Sequence, residues 1–266
     1  MNAFVKRGSD HGPDFFRHEA AGLGWLAAAP GGPRVVEVWG VDDDEIALEP
    51  VPAGRASPES ALRFGRSLAA MHDAGAAGWG APAEGWAGRC FIGNRPQSCV
   101  PTDSWGEFYA EQRVRPFVRI AADLGVLGGT ELAVVERACD RVASGDLDDP
   151  HDHPARLHGD LWTGNVLWAP ARDAVACGAR GGVEAVLIDP AAHGGHRETD
   201  LAMLALFGAP HLDRILSGYQ EAHPLRPGWR ERVPLHQMHP LATHSAGHGA
   251  GYALALADAA RAVLRL

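Results

Sequence analysis

HGDLWTGN at residues 158–165, with IDP at residues 188–190, is the part of this sequence that decides its fold. Asp160 and Asn165 are five residues apart in a loop, and short β-rich stretches lie on both sides of it. A loop of that length can aim both side chains into one cleft. Asp189 directly follows a strand predicted over residues 183–188.

The D-x-x-x-x-N spacing matches the catalytic loop of protein kinases, with Gly159 in place of the Arg of H-R-D. In that loop the Asp accepts the proton of the attacking hydroxyl and the Asn binds Mg²⁺. The pattern therefore predicts phosphoryl transfer from ATP, with Asp160 orienting a hydroxyl and with Asn165 and Asp189 as metal ligands. HGD alone is weak evidence, because loop Asp and Asn residues usually serve turns.

Lys6 and Glu19 fit a second part of such a site. Lys6 ends a short predicted strand, and Glu19 lies in an amphipathic helix predicted over residues 14–29. In kinases a strand Lys pairs with a helix Glu and holds the nucleotide phosphates. An ordinary surface pair is the alternative, but the order and spacing favour the nucleotide-binding interpretation.

The order of the predicted strands and helices along the chain indicates an α+β, bilobal, protein-kinase-like fold. Strands predicted over residues 34–41 and 45–49 form a hairpin, and the Pro/Gly-rich residues 50–54 then break regular structure. We expect a small sheet-plus-helix lobe over residues 1–52 and a larger, mainly helical lobe over 53–266. Helices are predicted over residues 58–72 with Ser57 as cap, 104–123 with a possible break at Pro116, 130–144, 199–207, 212–222 and 251–264.

Composition excludes several other classes. The 266 residues have 46% hydrophobic and 21% charged side chains, which is ordinary for a globular protein. The net charge of −9 and the absence of a Lys/Arg run argue against nucleic acid. The N-terminus has no apolar segment of a signal peptide or membrane span, and the four cysteines form no C-x-x-C zinc pair. We therefore expect a cytoplasmic protein with reduced thiols, and a monomer.

Longer motifs narrow the interpretation. The chain resembles the fructosamine kinase (ketosamine-3-kinase) family, a relative of the aminoglycoside phosphotransferases, from Phe4 nearly to its C-terminus. The motifs that carry this resemblance are FVK at 4–6 with FRHEA at 16–20, GRSLAAMH at 65–72, FIGN at 91–94 leading to DSWGEFYAEQR at 103–113, HGDLWTGN, and IDPA at 188–191 through HRETDLAM at 196–203 to LFG at 206–208. Trp162, FYAEQR at 108–113 and GHRETDLAM at 195–203 are far more specific than the HGD loop, and they resemble fructosamine kinases and not aminoglycoside kinases.

The resemblance implies an ATP- and Mg²⁺-dependent kinase that phosphorylates the 3-hydroxyl of a free or protein-bound ketosamine and so assists deglycation. It makes Asp160 the base, Asn165 and Asp189 the metal ligands, and Lys6 with Glu19 the nucleotide-side pair. The remaining expected roles are adenine binding by the backbone around Glu49 and Val51, substrate contact by Trp162 and Arg197, and support of the loop by His158 and Asp200. Trp162 could equally pack under the catalytic loop, and Asp200 could cap the helix that it opens.

The sequence departs from the family at its start. Family members carry two strands and a Gly-containing phosphate loop before the Lys strand, whereas Met1 lies five residues before Lys6. We expect the native chain to extend upstream. Two alternatives stay open: a kinase for another small hydroxyl substrate, such as an aminoglycoside or amino sugar, and a non-catalytic pseudokinase module. His244 and His248 have a helical metal-ligand spacing, but core or cleft-lining histidines are favoured.

Overall fold

Strands near the N-terminus and helices near the C-terminus surround a central group of short strands. The computed structural model describes residues 2–8, 11–172 and 182–266, without the side chain of His248. The strands in these ranges are β1 (Phe4–Arg7), β2 (Arg34–Val35), β3 (Val38–Val41), β4 (Glu45–Leu48), β5 (Cys90–Ile92), β6 (Arg95–Gln97), β7 (Ala155–Leu157), β8 (Val166–Pro170), β9 (Val183–Leu187) and β10 (His193–Gly195). The helices are α1 (Asp14–Ala27), α2 (Pro58–Asp73), α3 (Trp105–Phe108), α4 (Arg115–Asp123), α5 (Gly129–Ala143), α6 (Arg197–Leu206), α7 (Leu212–Ala222), α8 (Trp229–His248) and α9 (Ala250–Val263).

The N-terminal sheet places Lys6. Its strand order is β1–β4–β3, all antiparallel, and Lys6 is opposite Ile46 of β4. The predicted hairpin of β3 and β4 is confirmed, and helix α1 packs against both strands. The sheet therefore carries Lys6 and also supports the helix that carries Glu19, and the two side chains meet at 2.8 Å.

The prediction of one strand over residues 34–41 was wrong. β2 pairs in parallel with β9, while β3 belongs to the N-terminal sheet. Between them, the Val36 N–H donates to the Leu187 carbonyl at 3.0 Å and the Glu37 N–H donates to Glu49 Oε2 at 3.1 Å. The Val36 N–H thus bonds to β9 and the Glu37 N–H to a side chain, so the chain passes from one sheet to the other at these two residues. Residues before the predicted lobe boundary therefore contribute to the sheet β2–β9–β8.

The helical predictions hold with local corrections. Helix α2 begins at Pro58, and Ser57 caps it by accepting from the Ser60 N–H at 3.2 Å. The predicted break at Pro116 is a π-helical turn over Tyr109–Val114. Because Pro116 has no N–H to offer the Gln112 carbonyl, Arg113 Nη1 donates to that carbonyl at 3.2 Å.

Sequence reasoning did not predict helix α8 or the hairpin β5–β6. Helix α8 contains Pro234 and Pro240, which argue against a continuous helix at the level of sequence. Hairpin β5–β6 consists of two three-residue strands in a Gly- and Pro-rich stretch, where the apolar alternation is too short to read.

Two apolar clusters hold the described elements together. The first includes Leu26 of α1, Leu68 of α2 and Val186 of β9. The second lies among the C-terminal helices and includes Phe117 of α4 and Leu256 of α9. The catalytic loop lies where these clusters meet, since Leu161 belongs to the first and Ala191 to the second. Among the described helices, none combines the length and apolarity needed to cross a membrane.

Candidate active site

The loop at residues 158–165 connects β7 to β8 and is bonded to the end of β9. Asn165 Nδ2 donates to the Asp160 carbonyl at 2.8 Å, to Asp160 Oδ2 at 3.2 Å and to the Asp189 carbonyl at 3.4 Å. The Ile188 N–H donates to the Asn165 carbonyl at 3.1 Å. The structure thus brings together the three polar residues that the sequence singles out.

Two unusual backbone conformations shape this arrangement. Gly159 has φ +81°, and a Cβ there would lie 2.1 Å from the Ala191 carbonyl oxygen, which explains why Gly stands where protein kinases have Arg. Asp189 has φ +52°, a left-handed conformation that is uncommon for a residue with a Cβ. Such strained residues concentrate at functional sites.

His158 and Asp200 hold the loop from behind. His158 Nδ1 accepts from the Asp160 N–H at 3.3 Å, so its Nε2–H donates to the Ile188 carbonyl at 2.9 Å. Burial lowers the pKa of His158, which favours the neutral ring. The Asp200 carboxylate, 1% exposed, accepts from the N–H groups of His158 at 2.8 Å and Gly159 at 3.1 Å.

Asp200 does not cap its helix. Helix α6 begins at Arg197, and its cap is His196, whose Nδ1 accepts from the Glu198 N–H at 3.2 Å. The capping interpretation was therefore wrong, and the contacts of Asp200 favour the bracing one. Its third donor is His72 Nε2 at 3.2 Å.

Arg197 belongs to the same supporting network and not to the cleft. Its Nη1 donates to the Tyr219 hydroxyl at 3.1 Å and to Asp73 Oδ1 at 2.8 Å. The Tyr219 hydroxyl in turn donates to His72 Nδ1 at 2.8 Å, because His72 Nε2 carries the proton shared with Asp200. The expected substrate contact of Arg197 is corrected accordingly: its side chain is used to orient Tyr219.

Lys6 connects the N-terminal sheet to the loop. Its Nζ donates to Glu19 Oε1 at 2.8 Å and also contacts the Asp189 carboxylate. Burial by itself would lower the pKa of Lys6, but the two carboxylates outweigh burial and raise it. Burial raises the pKa of Glu19, an effect that Lys6 opposes. An ammonium with two carboxylates is poised to take phosphate oxygens as further partners.

A cavity of about 450 Å³ contains these groups. Lys6, Glu19, Asp160, Asn165 and Asp189 all line it. Burial raises the pKa of Asp160 to about 7; the Asp189 and Asp200 carboxylates add to this effect and the Asn165 hydrogen bond opposes it. A carboxylate with such a pKa is suited to accept a proton near neutral pH.

The donor set suits Mg²⁺. Asn165 uses its amide nitrogen for the three hydrogen bonds given above, and no described group donates to its oxygen. Asp189 shares one oxygen with Lys6 and is 42% exposed to the cavity side. Amide and carboxylate oxygens around a partly open position are the ligands that Mg²⁺ takes in phosphoryl-transfer sites.

A second, more apolar cavity of about 420 Å³ lies next to the first and shares Lys6 and Asp189 with it. Val36, Val51 and Leu167 are among its lining residues. Glu49 lines it as well, but its side chain is 5% exposed and is paired with Arg34 and with Arg172 at 2.6 Å. The backbone of residues 49–51, and not the Glu49 carboxylate, is therefore what this slot offers to a planar ligand.

Trp162 lines the first cavity, which also contains Asp160, and is 39% exposed. One edge of its ring contacts Phe207 at 6.1 Å between centroids. A hollow of about 480 Å³ shares Asp160 and Asn94 of the β5–β6 turn with this cavity and is lined further by Thr243 and His244 of α8. Sequence reasoning assigned no role to this turn, although the FIGN motif over residues 91–94 marks it.

The C-terminal histidines divide as expected where they can be described. His236 and His239 are 1% exposed, His244 lines the hollow, and the His248 side chain lies outside the described residues. His236 forms a compact group with His196 and Glu198 that has the composition of a metal site. Arg232, however, donates to both Glu198 oxygens at 2.6 and 3.0 Å, so a guanidinium already neutralises this carboxylate.

Comparisons with known proteins agree with this geometry. A family model described as fructosamine kinase matches residues 1–265. The probable ketoamine kinase of Lactiplantibacillus plantarum is 32% identical over 244 residues, which is 91% of this chain and 79% of that protein. The probable ketoamine kinase of Thermus thermophilus is 32% identical over 254 residues, 95% of this chain and 84% of that protein.

Solved structures are similar over nearly the whole chain. A Thermobifida fusca protein assigned as a fructosamine-3-kinase has 49% identity and a TM-score of 0.86, with 99% of this chain and 86% of that chain covered. A microcompartment-associated aminopropanol kinase has 18% identity and a TM-score of 0.56, with 97% and 82% covered. The second likeness concerns the fold alone, which is protein-kinase-like.

Proposed function

The chain belongs to the fructosamine kinase family, and from that premise we propose that it transfers the γ-phosphoryl group of ATP to the 3-hydroxyl of a ketosamine. As a family member it is a phosphotransferase with a hydroxyl acceptor. The proposal adds the position of the hydroxyl, the Mg²⁺ dependence and the role in deglycation. The observation that carries it is the convergence of Asp160, Asn165, Asp189 and the Lys6–Glu19 pair on one cavity.

Asp160 is the proposed base. Its pKa of about 7 allows it to be ionised at neutral pH and still to accept the hydroxyl proton as the oxygen attacks phosphorus. The hydrogen bonds from Asn165 and the brace through His158 hold the carboxylate in one position. Phosphoryl transfer depends mainly on positioning, so this rigidity contributes directly to rate.

Lys6 and the neighbouring slot form the proposed nucleotide side. The Lys6 ammonium, held by Glu19 at 2.8 Å, would bind phosphate oxygens. The backbone of Glu49 and Val51 would meet the adenine ring between Val36 and Leu167. Asn165 and Asp189 would hold Mg²⁺, which would offset the negative charge of the phosphates.

Trp162 and the hollow at the β5–β6 turn form the proposed acceptor side. Trp162 lines the same cavity as Asp160, the hollow also has Asp160 in its lining, and neither Trp162 nor the residues of the hollow line the adenine slot. The half-exposed indole would stack on the apolar face of the sugar. A phosphate on the 3-hydroxyl would destabilise the glycation adduct and allow the amine to be recovered.

The test is turnover of defined acceptors by the purified protein with MgATP. ADP release should be fast with fructosyl-lysine or ribulosyl-lysine, and phosphorus–proton NMR should place the phosphate on the 3-oxygen. Asp160→Ala should abolish turnover without lowering the melting temperature, whereas the exposed, matched change Asp258→Ala should leave both unchanged. Turnover of aminoglycosides alone would overturn the ketosamine assignment. Absence of both turnover and an MgATP-induced thermal shift would favour a pseudokinase.

A further inference from the structure

Arg113, on the π-helical turn, is a buried cation without a carboxylate partner among the described residues. It is 1% exposed, and its guanidinium lies 4.5 Å from the centre of the Phe108 ring. Nη1 donates to the Ser98 carbonyl at 2.6 Å and Nη2 donates to Cys99 Sγ at 3.6 Å. A charged side chain is almost never buried this completely unless it is paired. The negative partner of the Arg113 guanidinium must therefore be a group other than a carboxylate.

Cys99 is the group placed to supply that anion, because Arg113 Nη2 lies 3.6 Å from its Sγ. Interaction with the Cys90 thiol, together with the charge of Arg113, lowers the pKa of Cys99. The same interaction, reinforced by burial, raises the pKa of Cys90. Cys139 differs from both: it is 1% exposed in an apolar cluster, and burial raises its pKa to about 12.

We propose that Cys90 and Cys99 are a redox-active thiol–thiolate pair, which hydroperoxides oxidise to an intramolecular disulfide next to Arg113. The half-buried Cys99 thiolate attacks one oxygen of the peroxide, and the O–O bond breaks. Hydroxide is the leaving group, and Cys99 becomes a sulfenic acid. The Cys90 sulphur then forms the S–S bond as the Cys99 S–O bond breaks, and the Cys90 proton leaves with the departing oxygen as water. One thiolate, one thiol and one hydrogen peroxide thus become one disulfide, one water and one hydroxide, and the hydroxide takes a proton from solvent to become a second water.

The pair lies at the base of the hairpin that lines the candidate active site. Cys90 begins β5, and Cys99 follows β6 by two residues, with Cys90 opposite Gln97. The next residue, Phe91, packs against Phe15 at 5.2 Å and lines the catalytic cavity. Oxidation would join the two ends of this hairpin and remove the thiolate that compensates Arg113. The position of the β5–β6 turn beside Asp160 would change as a result.

The chemistry can be tested without any assay of activity. The full chain is treated with stoichiometric hydrogen peroxide, alkylated under denaturing conditions and digested for mass spectrometry. A Cys90–Cys99 cross-linked peptide should accumulate while Cys139 stays reduced. Cys90→Ser should stop at the sulfenic acid and show dimedone addition at Cys99, and Cys139→Ser should form the disulfide like the wild type. Oxidation of Cys139 at the same rate, or a bond to Cys177 or between molecules, would overturn the proposal.

Two further measurements test the roles of Arg113 and the hairpin. Labelling of Cys99 by iodoacetamide should have a pH midpoint well below the value of about 8.5 for an ordinary thiol; a midpoint at or above that value would refute the thiolate. Peroxide should reduce acceptor turnover at least about 3-fold in the wild type, with recovery in dithiothreitol, and should not affect Cys99→Ser. Equal turnover of the reduced and the disulfide form would refute coupling to the active site.

Discussion

The change Asp200→Asn tests whether a buried carboxylate positions the catalytic loop. Oδ1 accepts from the Gly159 N–H, and Oδ2 accepts from the His158 N–H and from His72 Nε2. An asparagine has one oxygen, so its amide nitrogen must face at least one of these donors. A buried N–H without a partner costs about 1–3 kcal/mol. At roughly 2–4 °C per kcal/mol for a chain of this size, the melting temperature should fall by about 2 to 12 °C.

The same change should reduce kcat with the best acceptor roughly 10- to 100-fold, since small displacements of a positioned group can reduce rates by that factor. The KM for ATP should change little, because Asp200 touches neither cavity. The control is Asp258→Asn, on the surface of α9 and 76% exposed; its effect on stability should stay within about 0.5 kcal/mol. Wild-type melting and wild-type kcat in Asp200→Asn would refute the bracing role.

Three other predictions follow from the site and its surroundings. Glu19→Gln replaces the charge-assisted bond to Lys6 by a neutral one and should raise the KM for ATP roughly 5- to 10-fold; an unchanged KM would separate Lys6 from the nucleotide. Trp162→Ala should raise the acceptor KM and leave the ATP KM unaltered, while the exposed Trp39→Ala should change neither. Burial lowers the pKa values of His18 and His236 to about 4, below the unfolded value near 6.5. For these two groups unfolding therefore takes up protons, and their contribution to stability should be full above pH 6.5 and fall by up to about 1.4 kcal/mol per pH unit for each histidine between pH 6.5 and 4. Asp160 and Glu19, whose pKa values are raised, oppose this loss, but four further buried histidines with lowered pKa values add to it; equal urea midpoints at pH 7.5 and 5 would contradict this.

The proximity of the three candidate site residues was predictable because the geometry that joins them is local. Asp160 and Asn165 are joined through a loop of eight residues, and Asp189 is connected to them by one hairpin. Residue type and spacing therefore contain most of the information about this part of the site. The mixed sheet was not predictable in this way, since β2 finds β9 far along the chain.

Side-chain networks were the other feature that sequence reasoning could not resolve. Arg197 lies within the HRETDLAM motif, shortly after Asp189, and this position in the sequence suggested a substrate contact. Its actual partners, Asp73 and Tyr219, come from two different helices. Packing of α2 against α7 brings these partners together. The apolar period of a helix shows which face is buried but not which other helix covers it.

The parallel pairing of β2 with β9 also determines when this protein can fold during its synthesis. Arg34 bonds Glu184 at 2.7 Å across 150 residues of chain. At about 5–20 residues per second, a ribosome needs roughly 8 to 30 s to add that length. For that time β2 has no partner strand, and the carboxylate of Glu49 lacks the second arginine that will cover it, Arg172. The N-terminal part of the molecule is thus made first but cannot be completed before β9 is made, and nascent chains should stay protease-sensitive until β9 has left the ribosome.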